Sequence, residues 1–268
     1  MYRSVCEIGQ SAKEERFGSM AKNIDITDVI KEGATAAYFD LEFCNENTSR
    51  HNVPVAIGIS YRQGGREIGS YSSLIWCGDE YELWKEQLTR IGYEEETLRM
   101  YGKPMEEVTE EILAAHKEYQ PKLYISLGKQ DEDLLKRFVT QELEGLMFYD
   151  AVQFLPGALS LKYDISLEKY AHICGIAFVH KFLPLEDART LADIVYNVLQ
   201  GNVDEGRRQE VEEEYDRRMF VSQYKNKRQA YEYLLGLECL TPGQREKMKG
   251  YEKYLEENRG EYLEYMGE

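Results

Sequence analysis

The order in which apolar segments follow one another limits the possible folds of this chain more than any other feature. Three strand candidates come first, at residues 36–43, 53–61 and 66–76, and the first is rich in aromatic and apolar side chains. Gly64 and a second glycine after it lie between the second and third candidates, at the spacing of a hairpin turn. The sequence therefore predicts a meander of three antiparallel strands.

Strands and helices alternate in the next part of the chain. Two further strand candidates lie at residues 123–127 and 146–149. Helical candidates, recognised by apolar residues three and four positions apart, lie at 104–119, from about 131 onward, at 166–174 and at 185–199. Three antiparallel strands followed by alternating helices and strands predict an α/β fold. We expect a mixed five-stranded sheet flanked by helices.

The chain of 268 residues is expected to contain three parts. Residues 1–33 are polar and predict a peripheral lead-in segment with one short helix. Residues 34–201 carry all the strand candidates and form the main domain. Residues 202–268 are almost wholly helix-forming and predict a C-terminal helical appendage, divided at Thr241 and the Pro-Gly pair after it. This appendage is a candidate surface for a protein partner.

The charge balance argues against one class of function. The formal net charge is -16 at pH 7, and a surface this negative repels the phosphate backbone of nucleic acids. Proteins that coat DNA or regulate transcription gain most of their affinity by neutralising phosphates with Lys and Arg. We therefore expect no such role, although an enzyme that grips one strand end through metal ions remains compatible with this charge.

Cysteine usage and hydropathy predict the location of the protein. The five cysteines are far apart and include no Cys-x-x-Cys pair, which favours a reducing compartment over a disulfide framework or a zinc site. No apolar run approaches the roughly 20 residues that a membrane-spanning helix needs. The N-terminal residues also lack the apolar core of a signal peptide. We expect a cytoplasmic protein that does not bind membranes.

Four acidic residues fall at structurally related positions. Asp40 and Glu42 are two residues apart in the first strand, so both side chains point to the same face of the sheet. Asp131 and Asp187 lie near the starts of two helices that follow the parallel part of the sheet. Because the sheet would bring these carboxylates together, they could not all stay ionised without a cation. Mg²⁺ or Mn²⁺ would suit such oxygen ligands.

Each acid also has an ordinary structural interpretation. An Asp-x-Glu pair can mark a strand end that meets solvent, and an aspartate in the first turn of a helix caps unpaired amides and favours the helix dipole. Convergence of all four is what favours a metal site. Two divalent cations about 3.5 to 4 Å apart can activate a water on one side of a phosphorus and stabilise the leaving oxygen on the other, which is the chemistry of phosphodiester hydrolysis.

The sequence resembles the DEDD superfamily of 3'-5' exonucleases, which have the ribonuclease H-like fold. The resemblance covers residues 36–198, within the predicted main domain. Its first motif, an Asp-x-Glu in the first strand, is matched by 38–43, and its second motif by Asp131 with apolar residues three and four positions later. The segments 91–98, 149–155 and 166–176 are similar to the family's sequence between and after these motifs.

This resemblance implies the roles of individual residues. Asp40, Glu42, Asp131 and Asp187 would hold the two divalent cations, with Glu42 also counted as catalytic. In the histidine subgroup a general base lies five positions before the final aspartate, where this chain has Phe182. His180, two residues earlier, would serve as the general base if the loop is longer by two residues. Phe43 is a candidate for stacking on a terminal base, although a place in the sheet core is the other interpretation.

The resemblance implies a function and leaves alternatives open. The leading hypothesis is a metal-dependent exonuclease, residues 34–201, that removes nucleoside monophosphates from the 3' ends of single-stranded or short RNA or DNA. The turnover of short oligonucleotides would use the same chemistry and would suit the acidic surface. A third hypothesis is a non-catalytic regulatory module on the same fold, because the sequence also resembles a bacterial group of sporulation-kinase inhibitors. Its C-terminal helices would then bind the partner.

Overall fold

The computed structural model describes residues 26–31, 33–47, 51–138, 147–178 and 182–267. The chain divides into two compact units, one that ends at Asp204 and one that begins at Glu205. All strands of the described residues belong to the first unit.

The first unit contains the mixed five-stranded sheet that the sequence predicts. Its strands are β1 (Thr35–Asn45), β2 (Asn52–Gln63), β3 (Arg66–Leu74), β4 (Leu123–Ser126) and β5 (Phe148–Asp150). Their order across the sheet is β3-β2-β1-β4-β5, with β1, β2 and β3 antiparallel and with β4 and β5 parallel to β1. The longest, most apolar strands therefore lie at or beside the centre, and the carboxyl ends of β1, β4 and β5 meet at one edge.

Helices cover both faces of this sheet. In chain order they are α1 (Ile26–Lys31), α2 (Lys85–Arg90), α3 (Glu95–Tyr101), α4 (Met105–Tyr119), α5 (Lys129–Phe138), α6 (Leu155–Ala158), α7 (Leu167–Ile173) and α8 (Pro184–Gln200). The sequence predicted α4, α5, α7 and α8 with ends shifted by one or two residues. It did not predict α2 as a helix, because six residues with one buried leucine, Leu88, form no periodic apolar face.

One face of the sheet carries the main hydrophobic core. Alternate residues of the two central strands, including Phe39, Leu41 and Ile57, pack there against the apolar stripes of α4 and α5. The stripes contribute Ile112 and Leu134, among others, and both are almost fully buried. Because side chains alternate along a strand, the residues between these core positions point to the opposite face. That opposite face is the one that carries the acidic pair of β1.

Helix α8 covers the opposite face and is held there by charged groups as well as by packing. It packs against β1 and β2. Arg189 of α8 donates two hydrogen bonds of 2.9 Å to the Glu67 carboxylate in β3, and Arg62 of β2 forms a 3.4 Å ion pair with Asp193 of α8. A bidentate arginine–carboxylate pair fixes orientation as well as distance. The start of α8 is therefore set in a defined position along β2.

The second unit is helical, as the sequence predicts. It consists of α9 (Glu205–Leu235), α10 (Pro242–Glu257) and α11 (Arg259–Met266). Thr241 caps α10 in a reciprocal capping box, which explains why the chain breaks at this position. Tyr224 and Tyr262 stack with their ring centroids 4.0 Å apart, joining α9 to α11. Among the described residues of both units, none of the helices is long and apolar enough to cross a membrane.

Candidate metal-binding active site

Two of the predicted acids lie on β1 and face the same side of the sheet. Asp40 pairs with Gly58 of β2, and Glu42 pairs with Ala56. The register shifts immediately after Glu42, so that Phe43 lies opposite Pro54. A bulge of this kind interrupts the regular pairing locally and increases the twist, and the two strands remain paired beyond it as far as Asn45 and Asn52. The carboxylates of Asp40 and Glu42 therefore project from the central strand immediately before the bulge.

Asp187 reaches this pair from the first turn of α8. One carboxylate oxygen from each of Asp40, Glu42 and Asp187 can be chosen so that all three lie within 4.8 Å of one another. The backbone N–H of Phe182 donates to the Asp187 carboxylate, and Asp187 is only 8% exposed. Its Oδ1 is buried and has no hydrogen-bond partner among the described residues. A buried carboxylate oxygen without a donor is destabilising unless a cation or a water satisfies it.

Asp131 approaches the same cluster from the start of α5. It is 7% exposed, and its carboxylate accepts a hydrogen bond from the backbone N–H of Leu41, the residue between the two acids of β1. Its negative charge acts on both Asp40 and Glu42. Three of the four acids that the sequence singled out thus lie within 4.8 Å of one another, and Asp131 is near enough for its charge to act on two of them.

Asp150 is a fifth acid at this edge, and the sequence analysis missed it. It ends β5, where its Oδ1 accepts from the backbone N–H groups of Gly128 and Val152 at 2.8 and 3.0 Å. Its charge adds to the repulsion on Asp131. An acidic residue at the carboxyl end of the last parallel strand was the signal that could have identified it, since parallel strands end at a common edge.

The carboxylates of the cluster hold protons more tightly than ordinary acids. Burial, followed by repulsion from Asp131 and Asp187, raises the pKa of Asp40 well above its usual value. Burial, with repulsion from the same two neighbours, raises the pKa of Glu42 to about 7. Burial also raises the pKa of Asp131 to about 7 and that of Asp187 to about 6, against the opposing effect of backbone hydrogen bonds. Divalent cations would relieve both the desolvation and the repulsion.

The donor set fits hard divalent cations. All the groups concerned are carboxylates, and oxygen is the ligand that Mg²⁺, Mn²⁺ and Ca²⁺ take. The unpaired Oδ1 of Asp187 gives independent support, because nothing in the described part of the chain satisfies it. The group formed by Asp40, Glu42 and Asp187 contains no histidine or cysteine, the ligands that softer metals such as zinc prefer.

These raised pKa values predict that the metal-free protein loses stability as pH rises. A carboxyl whose pKa is higher in the folded state than in the unfolded state stabilises the fold at low pH, and this contribution is lost as pH rises through the folded pKa. For Glu42 and Asp131 that loss centres on about pH 7. In EDTA, Asp40→Asn is therefore expected to melt at a higher temperature than wild type at pH 8, and the gap should shrink at pH 5.

Thermal unfolding at the two pH values measures this difference, and each protein is its own control across pH. Adding Mn²⁺ at pH 8 should raise the melting temperature of wild type more than that of Asp40→Asn, because a ligand stabilises only a state that binds it. A gap between the two proteins that is identical at pH 5 and pH 8 would show that the carboxylates do not repel one another.

Gly58 sets the distance between α8 and β1, and the sequence analysis did not identify it. A Cβ at this position would overlap the backbone nitrogen and Cα of Leu185 and the carbonyl carbon of Pro184. Since Gly58 lies directly opposite Asp40, the first turn of α8 rests on the strand beside that acid. A glycine inside a strand pattern signals such a close backbone approach. Gly58 is a positioning residue for Asp187.

Tyr93, in the loop between α2 and α3, forms a hydrogen bond with the loop that precedes α8. Its hydroxyl donates a 3.1 Å hydrogen bond to the carbonyl oxygen of Phe182. Burial raises the pKa of Tyr93 well above its usual range, and the charges of Glu42, Asp40 and Asp187 raise it further, in that order. Tyr93 is therefore near enough to the carboxylates for their charges to act on it. It belongs to the segment 91–98, in which the sequence alone indicated no role for Tyr93.

Phe182 adopts a backbone conformation that is unfavourable for a large side chain. Its φ is +68°, in the left-handed region, which costs about 1 to 3 kcal/mol for a residue other than glycine. Its carbonyl oxygen accepts the hydrogen bond from Tyr93 in this conformation. His180, the predicted general base, lies outside the described residues. Phe43 is partly buried and packs against the main core cluster, so it supports the sheet, and its contact with substrate stays a prediction.

The described structure is similar to solved structures of nucleases. One is the structure of a 3'-exonuclease that shows 3'-end specific recognition of a histone mRNA stem-loop. It matches with a TM-score of 0.55 and 11% identity, over 71% of each chain. The nuclease domain of 3'hExo, a DEDDh family member bound to rAMP, matches with a TM-score of 0.51 and 12% identity, over 64% of this chain and 96% of that domain.

A bacterial enzyme has the same fold. E. coli exonuclease I in complex with a dA16 oligonucleotide matches with a TM-score of 0.51 and 12% identity, over 66% of this chain and 42% of that enzyme. No family profile and no curated protein matches the sequence. At these identities the comparisons establish the fold alone, and it is the fold of these exonuclease structures, as the sequence resemblance implied.

Proposed function

We propose that the chain is a metal-dependent 3'-5' exonuclease that hydrolyses phosphodiester bonds at the 3' ends of single-stranded or short nucleic acid. The observation that carries this proposal is the cluster of partly or fully buried carboxylates around Asp40 and Glu42 of β1, with an Asp187 oxygen that no described donor satisfies. Burial of several acids in one place is destabilising, and a fold retains such a site when a bound ligand compensates it.

The roles of the acids follow from their surroundings. Asp40, Glu42, Asp131 and Asp187 would hold two divalent cations, Mg²⁺ or Mn²⁺. When bound, such a pair activates a water molecule and stabilises the charge on the leaving oxygen. Leu41 orients Asp131 through its backbone N–H, and Phe182 orients Asp187 in the same way. These bonds fix the acids before substrate arrives, so that little reorganisation is needed at the reaction.

Two further residues complete the proposal. His180 would take the proton of the attacking water, a task for which a neutral imidazole is suited near pH 7. Phe43 would stack on the terminal base. Both assignments derive from the sequence resemblance, and each has a direct test. Loss of His180 should remove the pH dependence of turnover on its acidic limb, where the rate rises as the imidazole loses its proton, whereas Phe43→Leu should raise KM for oligonucleotides.

The substrate class is limited by charge. The formal charge of -16 repels the phosphates of a long duplex and disfavours binding along it. Binding should therefore concentrate at the strand end, where the cations supply positive charge. The similar structures contain a stem-loop 3' end, an oligonucleotide and rAMP, which supports RNA or DNA ends as substrate and a nucleoside monophosphate as product.

A labelled oligonucleotide tests the proposal. With Mg²⁺ or Mn²⁺, an oligonucleotide labelled at its 5' end should become shorter by one nucleotide at a time from its 3' end. Both EDTA and the substitution Asp40→Ala should abolish this shortening. The same oligonucleotide with a blocked 3' end should not be hydrolysed. Cleavage that persists in EDTA, or no cleavage by folded protein with either cation, would defeat the proposal.

The alternative of a non-catalytic regulatory module gains no support from the described residues. A surface that only binds a protein partner has no need of several acids with raised pKa values around one buried oxygen. The helices α9, α10 and α11 are compatible with a partner, but no contact in the described structure indicates one. Binding of divalent cations separates the two hypotheses, since only the enzyme requires it.

A further inference from the structure

A cavity of about 460 Å³ lies on the face of the sheet that carries Asp40 and Glu42. Its floor is formed by Ala56 of β2 and by Ser72 and Leu74 of β3. Its opposite wall is the start of α8. This volume is in the range of sites for small organic ligands, and none of the roles proposed above uses it.

The strand register places this cavity directly beside the carboxylates. Glu42 pairs with Ala56, and Ala56 pairs with Leu74 in the next strand. Directly opposed residues of antiparallel strands have their Cβ atoms about 4.5 to 5.5 Å apart. The floor of the cavity therefore begins one strand away from Glu42. Tyr93 lines the cavity, and the charges of Glu42, Asp40 and Asp187 act on it, so the cavity lies next to the carboxylates.

The lining suits a flat, uncharged ligand. Apolar side chains of Leu74, Leu183 and Leu185, with Pro184 and the Tyr93 ring, form most of the wall. Among the residues that line the cavity, none carries a positive charge, and its one charged group is the carboxylate of Glu186. A phosphate would therefore be repelled from the cavity itself, whereas an aromatic heterocycle could pack against the leucines.

Glu186 defines which heterocycle fits. Its Oε1 accepts a 2.6 Å hydrogen bond from Nη1 of Arg189. An ionised carboxylate has about four acceptor positions and no donor, so it can accept further bonds from two adjacent N–H groups. Guanine presents two such donors side by side, at N1 and at the exocyclic amino group. Adenine, cytosine and uracil each lack this adjacent pair of donors.

We propose that this cavity binds the guanine base of a nucleotide next to the scissile phosphate, with Glu186 accepting hydrogen bonds from N1 and the exocyclic amino group. The proposal rests on the exonuclease function for its biological meaning. Binding of the base depends neither on catalysis nor on cations. The base site and the exonuclease function can therefore be tested separately.

Calorimetric titration with free nucleosides in EDTA tests the base site. Guanosine should bind wild type about tenfold more tightly than inosine, which lacks the exocyclic amino group, because a good two-bond contact to a base discriminates by about that factor or more. Glu186→Gln should remove this preference, and Ser72→Trp, which fills the floor from an exposed strand position, should weaken the binding of both nucleosides. Glu96→Gln, an exposed carboxylate on α3, is the matched control and should preserve the preference.

Thermal unfolding establishes that each variant is folded, and the comparison of guanosine with inosine on wild type needs no variant at all. Equal affinity for the two nucleosides, or no binding of either, would overturn the base site. Hydrolysis of an oligothymidine substrate tests the exonuclease function without any guanine. Hydrolysis without guanosine preference would refute the base site alone, and guanosine preference without hydrolysis would refute the exonuclease alone.

Discussion

Replacing Asp131 with asparagine is expected to lower metal-dependent hydrolysis by more than about 100-fold, because loss of an outer-shell partner of a metal already costs about 10- to 100-fold and a direct ligand contributes more. Asp131 is buried beside the acids of β1 and accepts a bond from the Leu41 amide. Asparagine keeps the size of the side chain and removes its charge. The rate of release of 3'-terminal nucleotides at saturating Mn²⁺ measures the effect.

Asp133 supplies a matched control on the same helix. It lies two residues further along α5 and is exposed, so its side chain is directed away from the cluster. Asp133→Asn removes the same charge from the same helix and should change the rate less than twofold, as exposed substitutions usually do. Equal losses in both variants would mean that the effect comes from the net charge of α5, and the assignment of Asp131 as a metal ligand would fail.

Replacing Gly58 with alanine is expected to be nearly as damaging, although Gly58 has no functional group. The new Cβ would overlap the backbone of Leu185, so the first turn of α8 must move away from β2 and carry Asp187 with it. A displacement of about 1 Å at a reacting site can cost about 100-fold in rate. Overpacking of this kind also costs about 1 to 3 kcal/mol of stability.

Gly157→Ala is the control for this substitution. A Cβ at Gly157 meets nothing within 4 Å, and alanine is favoured over glycine in a helix by about 0.5 to 1 kcal/mol. Turnover should therefore be unchanged in Gly157→Ala and the melting temperature equal or slightly higher. If Gly58→Ala retains both wild-type turnover and wild-type Mn²⁺ affinity, the close approach of α8 does not position Asp187.

The sheet was predictable because its signals are local. Alternating apolar residues and a glycine turn identify an antiparallel meander, and helices between short apolar segments identify parallel strands. The acids Asp40 and Glu42 could be placed on one face because side chains alternate along any strand. Asp131 and Asp187 could be added once the strand order was inferred, since the carboxyl ends of neighbouring parallel strands share an edge.

The features that were missed depend on contacts between distant segments. The role of Gly58 depends on where α8 crosses β2, which no local pattern specifies. Tyr93 acts through a hydrogen bond to Phe182, 89 residues further along the chain. Asp150 joins the cluster because β5 pairs with β4, and an acid after a short strand is common without such a role. Helix α2 is too short to form a periodic face, so its packing against the end of β1 determines it.

Binding of divalent cations by the carboxylate cluster is the property on which the proposed exonuclease function depends most directly. Calorimetric titration of the metal-free protein with Mn²⁺ near neutral pH should detect two ions per chain in wild type and fewer in Asp40→Asn, while Asp133→Asn should match wild type. Folded wild-type protein that binds no Mn²⁺, or that binds it equally well without the Asp40 carboxylate, would contradict the account.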